Sequence, residues 1–156
     1  MATKDQLSEE QLVVFELAGE SYGVEISRVQ EIDRMQQITA VPQAPAFVEG
    51  VINLRGRITP VVDTRARFGL PKAEVTPLTR IVVVKAGEEW VGLVVDAVSE
   101  VLRIPLDAIE PPSAMVTTAE STYLRGIAKL KERLILLLDL DRVLDKEFQI
   151  SALAVA

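Results

Sequence analysis

Histidine and cysteine are both absent from the 156 residues of this chain. Their absence excludes Ser-His and Cys-His nucleophile pairs and every metal site that depends on His or Cys. Neither a G-x-x-x-x-G-K-[ST] loop nor a G-x-G-x-x-G turn is present, so the familiar nucleotide-binding loops are missing as well. Catalysis would have to rely on Asp, Glu, Lys, Arg or Tyr side chains. The sequence therefore predicts no enzymatic activity and no bound cofactor or metal.

The chain also lacks a basic charge excess and long apolar runs. It has 17 Lys and Arg against 23 Asp and Glu, a net charge of −6, whereas nucleic acid requires a basic face. No apolar run approaches the roughly 18 residues that span a bilayer. The polar start, MATKDQLSEE, resembles neither a secretory signal nor a transit peptide. We therefore expect a cytoplasmic globular protein without nucleic-acid binding or direct membrane insertion.

What the chain does contain is an internal duplication. Residues 47–68, FVEGVINLRGRITPVVDTRARF, match residues 123–144, YLRGIAKLKERLILLLDLDRVL, without a gap. Upstream, AGESYGVEISRVQEI at 18–32 matches AGEEWVGLVVDAVSEV at 86–101 with one inserted residue. The unit of roughly 70 residues is present twice, too few copies for a solenoid, which needs at least about three. Two similar small domains packed together are predicted.

Short Val- and Ile-rich runs bounded by turn signals predict about five strands in each copy, at the spacing of small β-barrels. Ser27, with Gln30 three residues later, matches a capping box and predicts a helical turn that continues through Arg34. Each copy is expected to end with a short helix after its last strand. The predicted fold is therefore mainly β, with two five-stranded barrels and a few short helices.

The predicted domain organisation follows from the duplication. A disordered tail is expected over residues 1–10 and a second tail over 146–156. The first repeat is predicted at about 11–72 and the second at about 80–145. Each barrel is expected to come from about one repeat, although the chain order also permits strands to exchange between the barrels.

A few residues are candidates for chemistry because acids at the ends of apolar runs can be buried. They are Asp63, Asp96, Asp139 and Asp141. A pair of these carboxylates could serve a carboxylate-only hydrolase. Asp63 and Asp139 hold the same position in the two copies, which favours helix capping instead. Trp90, the single tryptophan, is interpreted as a core aromatic residue rather than a ligand platform.

Arg55 differs from the other charged residues. It precedes Gly56 in a predicted tight turn between apolar strands, where the second copy has Lys131-Glu132. The fold therefore does not need the arginine, and its apolar surroundings are typical of an interface anchor. The alternative is a solvated turn charge. Glu31, in the same copy, is predicted to be its ion-pair partner.

Gly50, repeated as Gly126, is predicted to have a backbone role, either a positive φ or close approach by another chain segment. If Gly50 also faces a partner, Gly50→Asp should mainly weaken binding, whereas Gly126→Asp should mainly reduce stability.

Three segments carry a resemblance to a known family: VPQAPAFVEGVINLRGRITPVVDTRARFGL, YGVEISRVQEI and VGLVVDAVSEVL. Over residues 11–145 the sequence closely resembles the CheW family of chemotaxis coupling proteins. Thr64 departs from the usual Leu of the family. The resemblance implies two SH3-like five-stranded β-barrels and a non-catalytic adaptor that couples chemoreceptors to the histidine kinase CheA. A carboxylate-only hydrolase on a β-barrel scaffold is the alternative function.

The resemblance also implies partners and a site. The partners are the cytoplasmic tip of a chemoreceptor, that is, a methyl-accepting chemotaxis protein, and the regulatory domain of CheA. The isolated chain is expected to be a monomer that associates with receptor arrays at the inner face of the membrane. By motif match, receptor contact is expected in the groove between the barrels, at Val29, Glu31, Gly50, Asn53, Arg55, Val98 and Val101.

Overall fold

The computed structural model describes residues 9–111 and 123–144. Their strands, in chain order, are β1 (Glu9–Leu17), β2 (Glu20–Glu25), β3 (Val29–Arg34), β4 (Val48–Leu54), β5 (Arg57–Asp63), β6 (Arg80–Ala86), β7 (Glu89–Val95), β8 (Ala97–Pro105), β9 (Ile109–Glu110), β10 (Leu124–Leu130) and β11 (Arg133–Leu138). The helices are α1 (Thr64–Arg67) and α2 (Leu140–Val143), and 3-10 turns occupy Ile26–Arg28 and Leu106–Ala108.

The strands form two sheets. A six-stranded sheet has the order β8-β1-β2-β11-β10-β9, and a five-stranded sheet has the order β3-β6-β7-β5-β4. Within residues 9–111 and 123–144, no hydrogen-bonded ladder connects the two end strands of either sheet. The predicted mainly β fold, with two β units and a few short helices, is confirmed.

Each sheet contains strands of both repeats. The hairpin β1–β2, from the first repeat, pairs with β8 and β11, and the hairpin β6–β7, from the second repeat, pairs with β3 and β5. The junctions are equivalent parallel pairings, in which Gly92 lies opposite Val61 and Gly23 lies opposite Leu137. The repeats therefore exchange hairpins, the arrangement that the chain order also permitted, and neither repeat builds a sheet of its own.

The exchange follows from burial on both faces of the two hairpins. Along β1, Leu12 and Val14 belong to the apolar core of the six-stranded sheet, whereas Val13 and Phe15 belong to a central cluster that joins the two sheets. Strand β6 alternates in the same way between the central cluster and the core of the five-stranded sheet. Fully burying such a side chain contributes about 1.5–3 kcal/mol. A hairpin that is apolar on both faces needs both sheets to cover it.

Arg67 contacts the first residue of each repeated segment, Phe47 and Tyr123. The guanidinium of Arg67 lies 4.5 Å from the ring centroid of Phe47 and 5.1 Å from that of Tyr123. Its Nε donates a hydrogen bond to the carbonyl of Val143 at 3.0 Å. Phe68 stacks on Tyr123 with a centroid separation of 5.3 Å. The aromatic residue that opens each repeated segment thus packs at the junction of the two repeats.

The predicted helical turn from Ser27 to Arg34 is wrong. Ser27 lies in the 3-10 turn, and the chain continues as β3, which pairs antiparallel with β6. A capping box is a local signal, and it is overridden here because β6 offers an antiparallel partner for the backbone from Val29 to Arg34. The tails predicted over 1–10 and 146–156 lie outside the described residues except for Glu9 and Glu10, which belong to β1.

The capping interpretation of the duplicated aspartates is confirmed. A carboxylate oxygen of Asp63 accepts a hydrogen bond from the backbone N–H of Ala66 at 3.3 Å, at the start of α1. Asp139 accepts from the N–H groups of Asp141 at 3.1 Å and Arg142 at 3.4 Å, at the start of α2. Both carboxylates are committed to the N-termini of short helices.

Gly50 has the predicted backbone role. Its φ is +152°, it lies at a bulge in β4, and a Cβ atom there would be 2.1 Å from the carbonyl oxygen of Thr39. That carbonyl accepts a hydrogen bond from the N–H of Val51 in an isolated β-bridge, so the close approach is fixed by backbone hydrogen bonds. Gly126, at the equivalent bulge, would place a Cβ 2.9 Å from a methyl of Ile109. Both glycines serve the fold, so stability loss is expected at both and not mainly at Gly126.

We predict that Gly50→Ala lowers the free energy of unfolding by about 3 kcal/mol, because backbone cannot yield to the new methyl group as a side chain can. Gly126→Ala should cost less, since a side chain supplies the nearest contact. Urea unfolding measures both. Gly87→Ala is the control. Gly87 has a φ of +65°, and no atom would lie within 4 Å of an added Cβ, so only the left-handed backbone penalty of about 1 kcal/mol applies. A Gly50→Ala variant as stable as Gly87→Ala would contradict the assignment.

Candidate partner-binding site

The turn that carries Arg55 is built by its neighbours. Arg55 has a φ of 53°, and Lys131, at the same place in the second copy, has a φ of 52°. The N–H of Gly56 donates to the side-chain oxygen of Asn53 at 2.8 Å, which closes the turn. Asn53 therefore has a structural role in addition to any partner contact. The backbone conformation is the same in both copies, so the arginine side chain is not needed to form it.

A bulge in β3 directs Glu31 toward Arg55. Val29 lies opposite Val84, a residue of the central cluster, whereas Glu31 lies opposite Val83, a residue of the core of the five-stranded sheet. Residues two apart on a regular strand share a face, but the extra residue at this bulge places Val29 and Glu31 on opposite faces. Val29 thus packs against the central cluster, and Glu31 is placed over the end of an apolar core.

The ion pair predicted between Arg55 and Glu31 is confirmed. Nη1 of Arg55 lies 2.8 Å from Oε2 of Glu31. The two side chains differ in exposure: 13% of Glu31 is accessible and 74% of Arg55. The carboxylate is thus fixed by the fold, and it holds a guanidinium whose other donors face outward. Such a group can donate hydrogen bonds to a partner's carbonyl or carboxylate oxygens without moving.

A second acid, which the sequence analysis did not single out, lies beside this pair. Asp33 follows Glu31 by two residues on β3, so both side chains point to the same face. Oε1 of Glu31 and Oδ2 of Asp33 are buried, and neither has a donor partner within the part of the chain that the structure describes. One shared proton would satisfy both oxygens. The alternation of β3 would have revealed this acid if the segment had been recognised as a strand.

Burial raises the pKa of Glu31 above its ordinary value of 4.5. The hydrogen bond and the negative charge of Asp33 raise this pKa further, whereas the Arg55 cation lowers it. The site therefore favours the protonated form of the carboxyl that holds Arg55.

The remaining predicted residues lie on the other sheet. Val98 and Val101 belong to β8, an edge strand of the six-stranded sheet. Val98 packs against the central cluster, as its counterpart Val29 does, and Val101 is 51% exposed. The predicted set is thus divided between two sheets: Val29, Glu31, Gly50, Asn53 and Arg55 lie on or beside the five-stranded sheet, and Val98 and Val101 lie on β8.

The six-stranded sheet contains a related ion pair with a different arginine. Glu100, the counterpart of Glu31, contacts Arg133 at 2.5 Å. The counterpart of Arg133 in the first copy is Arg57, which does not hold Glu31 but lies 4.0 Å from the ring centroid of Trp90. Trp90 is half-buried at the edge of the core of the five-stranded sheet. The repeats therefore use the same acid position with different cations.

Asp96, a candidate acid in the sequence analysis, proves to be structural. Its carboxylate accepts two hydrogen bonds from Arg65, at 2.9 and 2.5 Å, and one from the N–H of Ala18 at 2.9 Å. The hydrogen bond from Arg65 lowers the pKa of Asp96 most, and burial opposes it. This bidentate pair joins α1 to the turn between β7 and β8.

The comparisons with known proteins agree on one family. The CheW-like domain family matches residues 11–148. The chain belongs to the CheW-like family. Chemotaxis protein CheW of Klebsiella aerogenes is 36% identical over 151 residues, which cover 94% of this chain and 91% of that protein. Chemotaxis protein CheW of Bacillus subtilis is 36% identical over 143 residues, which cover 92% of each.

Among solved structures, the crystal structure of scaffolding protein TtCheW from Thermoanaerobacter tengcongensis matches with a TM-score of 0.81. It is 40% identical, and the match covers 89% of this chain and 90% of that one. A CheW-like protein is a non-catalytic chemotaxis adaptor, and this membership excludes the hydrolase alternative. Across residues 9–111 and 123–144, no helix is long and apolar enough to cross a membrane, and no acidic cluster is arranged to hold a metal ion.

We predict that Asp33→Asn lowers the pKa of Glu31, because a negative neighbour is removed. Carboxyl-carbon NMR titration measures it. The raised pKa means that the folded state binds this proton more tightly than the unfolded state does. The stabilisation from Glu31 is therefore present below pH 4.5 and is lost as the pH rises through the raised pKa. In Asp33→Asn, the free energy of unfolding should fall less as the pH rises through this range. An unchanged pKa of Glu31 would show that the two acids are independent.

Asp96→Asn should lower the free energy of unfolding by about 2 kcal/mol near neutral pH, because a charge-assisted bidentate pair is lost. The pKa of Asp96 is depressed, so its stabilisation is present above the ordinary value of 3.8 and is lost as the pH falls through the lowered pKa. Urea unfolding between about pH 2 and 7 compares the two proteins. Parent and variant should converge in acid, and parallel profiles would refute the assignment.

Proposed function

We propose that this CheW-like protein bridges the cytoplasmic tip of a chemoreceptor and the regulatory domain of a CheA-type histidine kinase. The chain has no His or Cys and belongs to a non-catalytic family, so its proposed contribution is to hold partners together. The observation that carries the proposal is the Arg55–Glu31 pair, in which a buried acid holds an exposed guanidinium on a turn that the second copy builds without it. Folding alone does not require that arrangement.

The proposed receptor site contains Val29, Glu31, Gly50, Asn53, Arg55, Val98 and Val101. Arg55 is its polar anchor, and the partly exposed valines supply apolar contact for a helical hairpin, the shape expected of a receptor tip. Gly50 and Asn53 shape the strand and the turn that carry Arg55, so their effect on binding is indirect.

Kinase contact is assigned to a different surface, at the ends of the sheets, so that both partners can bind together. The free chain is proposed to be monomeric and cytoplasmic, and to join receptor arrays at the inner face of the membrane only through its partners. Its net charge of −6 is consistent with protein partners rather than with direct attraction to anionic lipids.

Arg55→Ala should weaken binding of a receptor-tip fragment by about thirtyfold, equivalent to about 2 kcal/mol for a central interface anchor. Arg55→Lys should lose most of the same affinity, because an ammonium cannot hold Glu31 and a partner oxygen in one planar fork. Both variants should fold normally, with stability changes within about 0.5 kcal/mol. Isothermal titration calorimetry and thermal melting measure the two effects.

Lys131→Ala is the matched control, because Lys131 occupies the equivalent turn position with the same φ. It should leave melting temperature, receptor binding and kinase-domain binding close to those of the parent. The Arg55 variants should retain kinase-domain binding. If Arg55→Ala binds the receptor fragment as tightly as the parent, Arg55 is only a solvated turn charge and the proposed site is wrong.

A further inference from the structure

We propose that Trp90 is a positioning residue: it holds Arg57 away from Glu31 and so reserves Glu31 for Arg55. The consequence for receptor binding rests on the function proposed above. The structural part of the inference is independent of that function, because it concerns only which arginine pairs with which acid.

The internal duplication supplies the comparison. Gly92 lies opposite Val61 in one sheet, and Gly23 lies opposite Leu137 in the other, at the same step of the same parallel pairing. Trp90 stands two residues before the first glycine, and Ser21 stands two residues before the second. Each therefore occupies the same place relative to the arginine that begins the neighbouring strand, Arg57 in β5 or Arg133 in β11.

In the six-stranded sheet, where this position is Ser21, Arg133 contacts Glu100. Nη1 of Arg133 lies 2.5 Å from Oε2 of Glu100, and Nη2 donates to the hydroxyl of Ser21 at 3.3 Å. Where this position holds tryptophan, the guanidinium of Arg57 lies over the indole, with Cζ 4.0 Å from the ring centroid. Indole is the strongest cation–π partner among the side chains, and the ring's partial burial reduces competition from water.

Glu31 can serve only one of the two arginines well. Its Oε2 accepts from Arg55, and its Oε1 is buried beside Asp33. Glu100 has no such neighbour, because the residue that corresponds to Asp33 is Leu102. An Arg57 released from the indole would therefore compete with Arg55 for the accessible oxygen of Glu31. Arg55 would then lose the contact that fixes its guanidinium outside the turn.

The test is Trp90→Ser, which gives the hairpin of the second repeat the side chain that the first repeat has at this place. Trp90→Thr is the second variant, since its β-branched side chain also removes the indole but favours the strand more than serine does. A crystal structure of either should show the Arg57 guanidinium within about 3 Å of the Glu31 carboxylate. Arg57 remaining away from Glu31 in both variants would overturn the inference, whatever the receptor affinity.

Binding of a receptor-tip peptide gives the second readout. Trp90→Ser should weaken it by about tenfold, and adding Arg57→Ala to the same chain should restore it to within about twofold of the parent, because the competitor is gone. Arg57→Ala alone should bind like the parent. A lack of rescue in the double variant would mean that Trp90 contacts the receptor itself, which also overturns the inference.

The two failures are distinguishable. If Arg57 moves to Glu31 in the crystal but Arg55→Ala also binds the receptor peptide normally, the positioning role stands and the proposed function of the site is wrong. If Arg55→Ala loses affinity while Arg57 stays away from Glu31, the function stands and the role of Trp90 does not.

Discussion

The rest of the structure depends on the burial of both faces of two hairpins, β1–β2 and β6–β7. Each is covered on one side by its own sheet's core and on the other by the central cluster shared between the sheets. Because each hairpin pairs with strands of the other repeat, the two sheets cannot separate without exposing apolar surface on both. The turn of Arg55, the bulge before Glu31 and the edge strand β8 are held in relation to one another by this shared core.

The duplicated framework is nearly symmetric, and its functional character comes from where the symmetry fails. Both repeats place a glutamate just after a bulge, opposite a valine of the neighbouring strand. In one repeat the glutamate pairs with Arg133 and is beside Leu102; in the other it pairs with Arg55 and is beside Asp33. A common backbone thus presents a compact ion pair on one sheet and an outward-facing guanidinium on the other.

Much of this could be predicted from sequence where the signal was local or repeated. The aspartate caps were identifiable because Asp63 and Asp139 hold the same position in both copies, and the Arg55–Glu31 pair was predicted because Arg55 has no duplicate. The helix expected at Ser27 was wrong because a capping signal says nothing of the strand beside it. The sequence could not show whether the hairpins exchange between the repeats. A hairpin that is apolar on both faces has the same residue pattern whichever sheet it joins.

By itself, the sequence determined the fold class, the family and the absence of His and Cys chemistry, since these follow from composition, repetition and motif. Only the tertiary structure decided which arginine each glutamate holds. Arg57 and Arg133 are equivalent along the chain, and their different partners follow from residues distant in sequence, Trp90 and Ser21, that parallel pairing brings beside them. Which charges pair across a sheet depends on the strand register and on the side chains of the adjacent strand. Neither can be inferred from the residues that flank each arginine in the sequence.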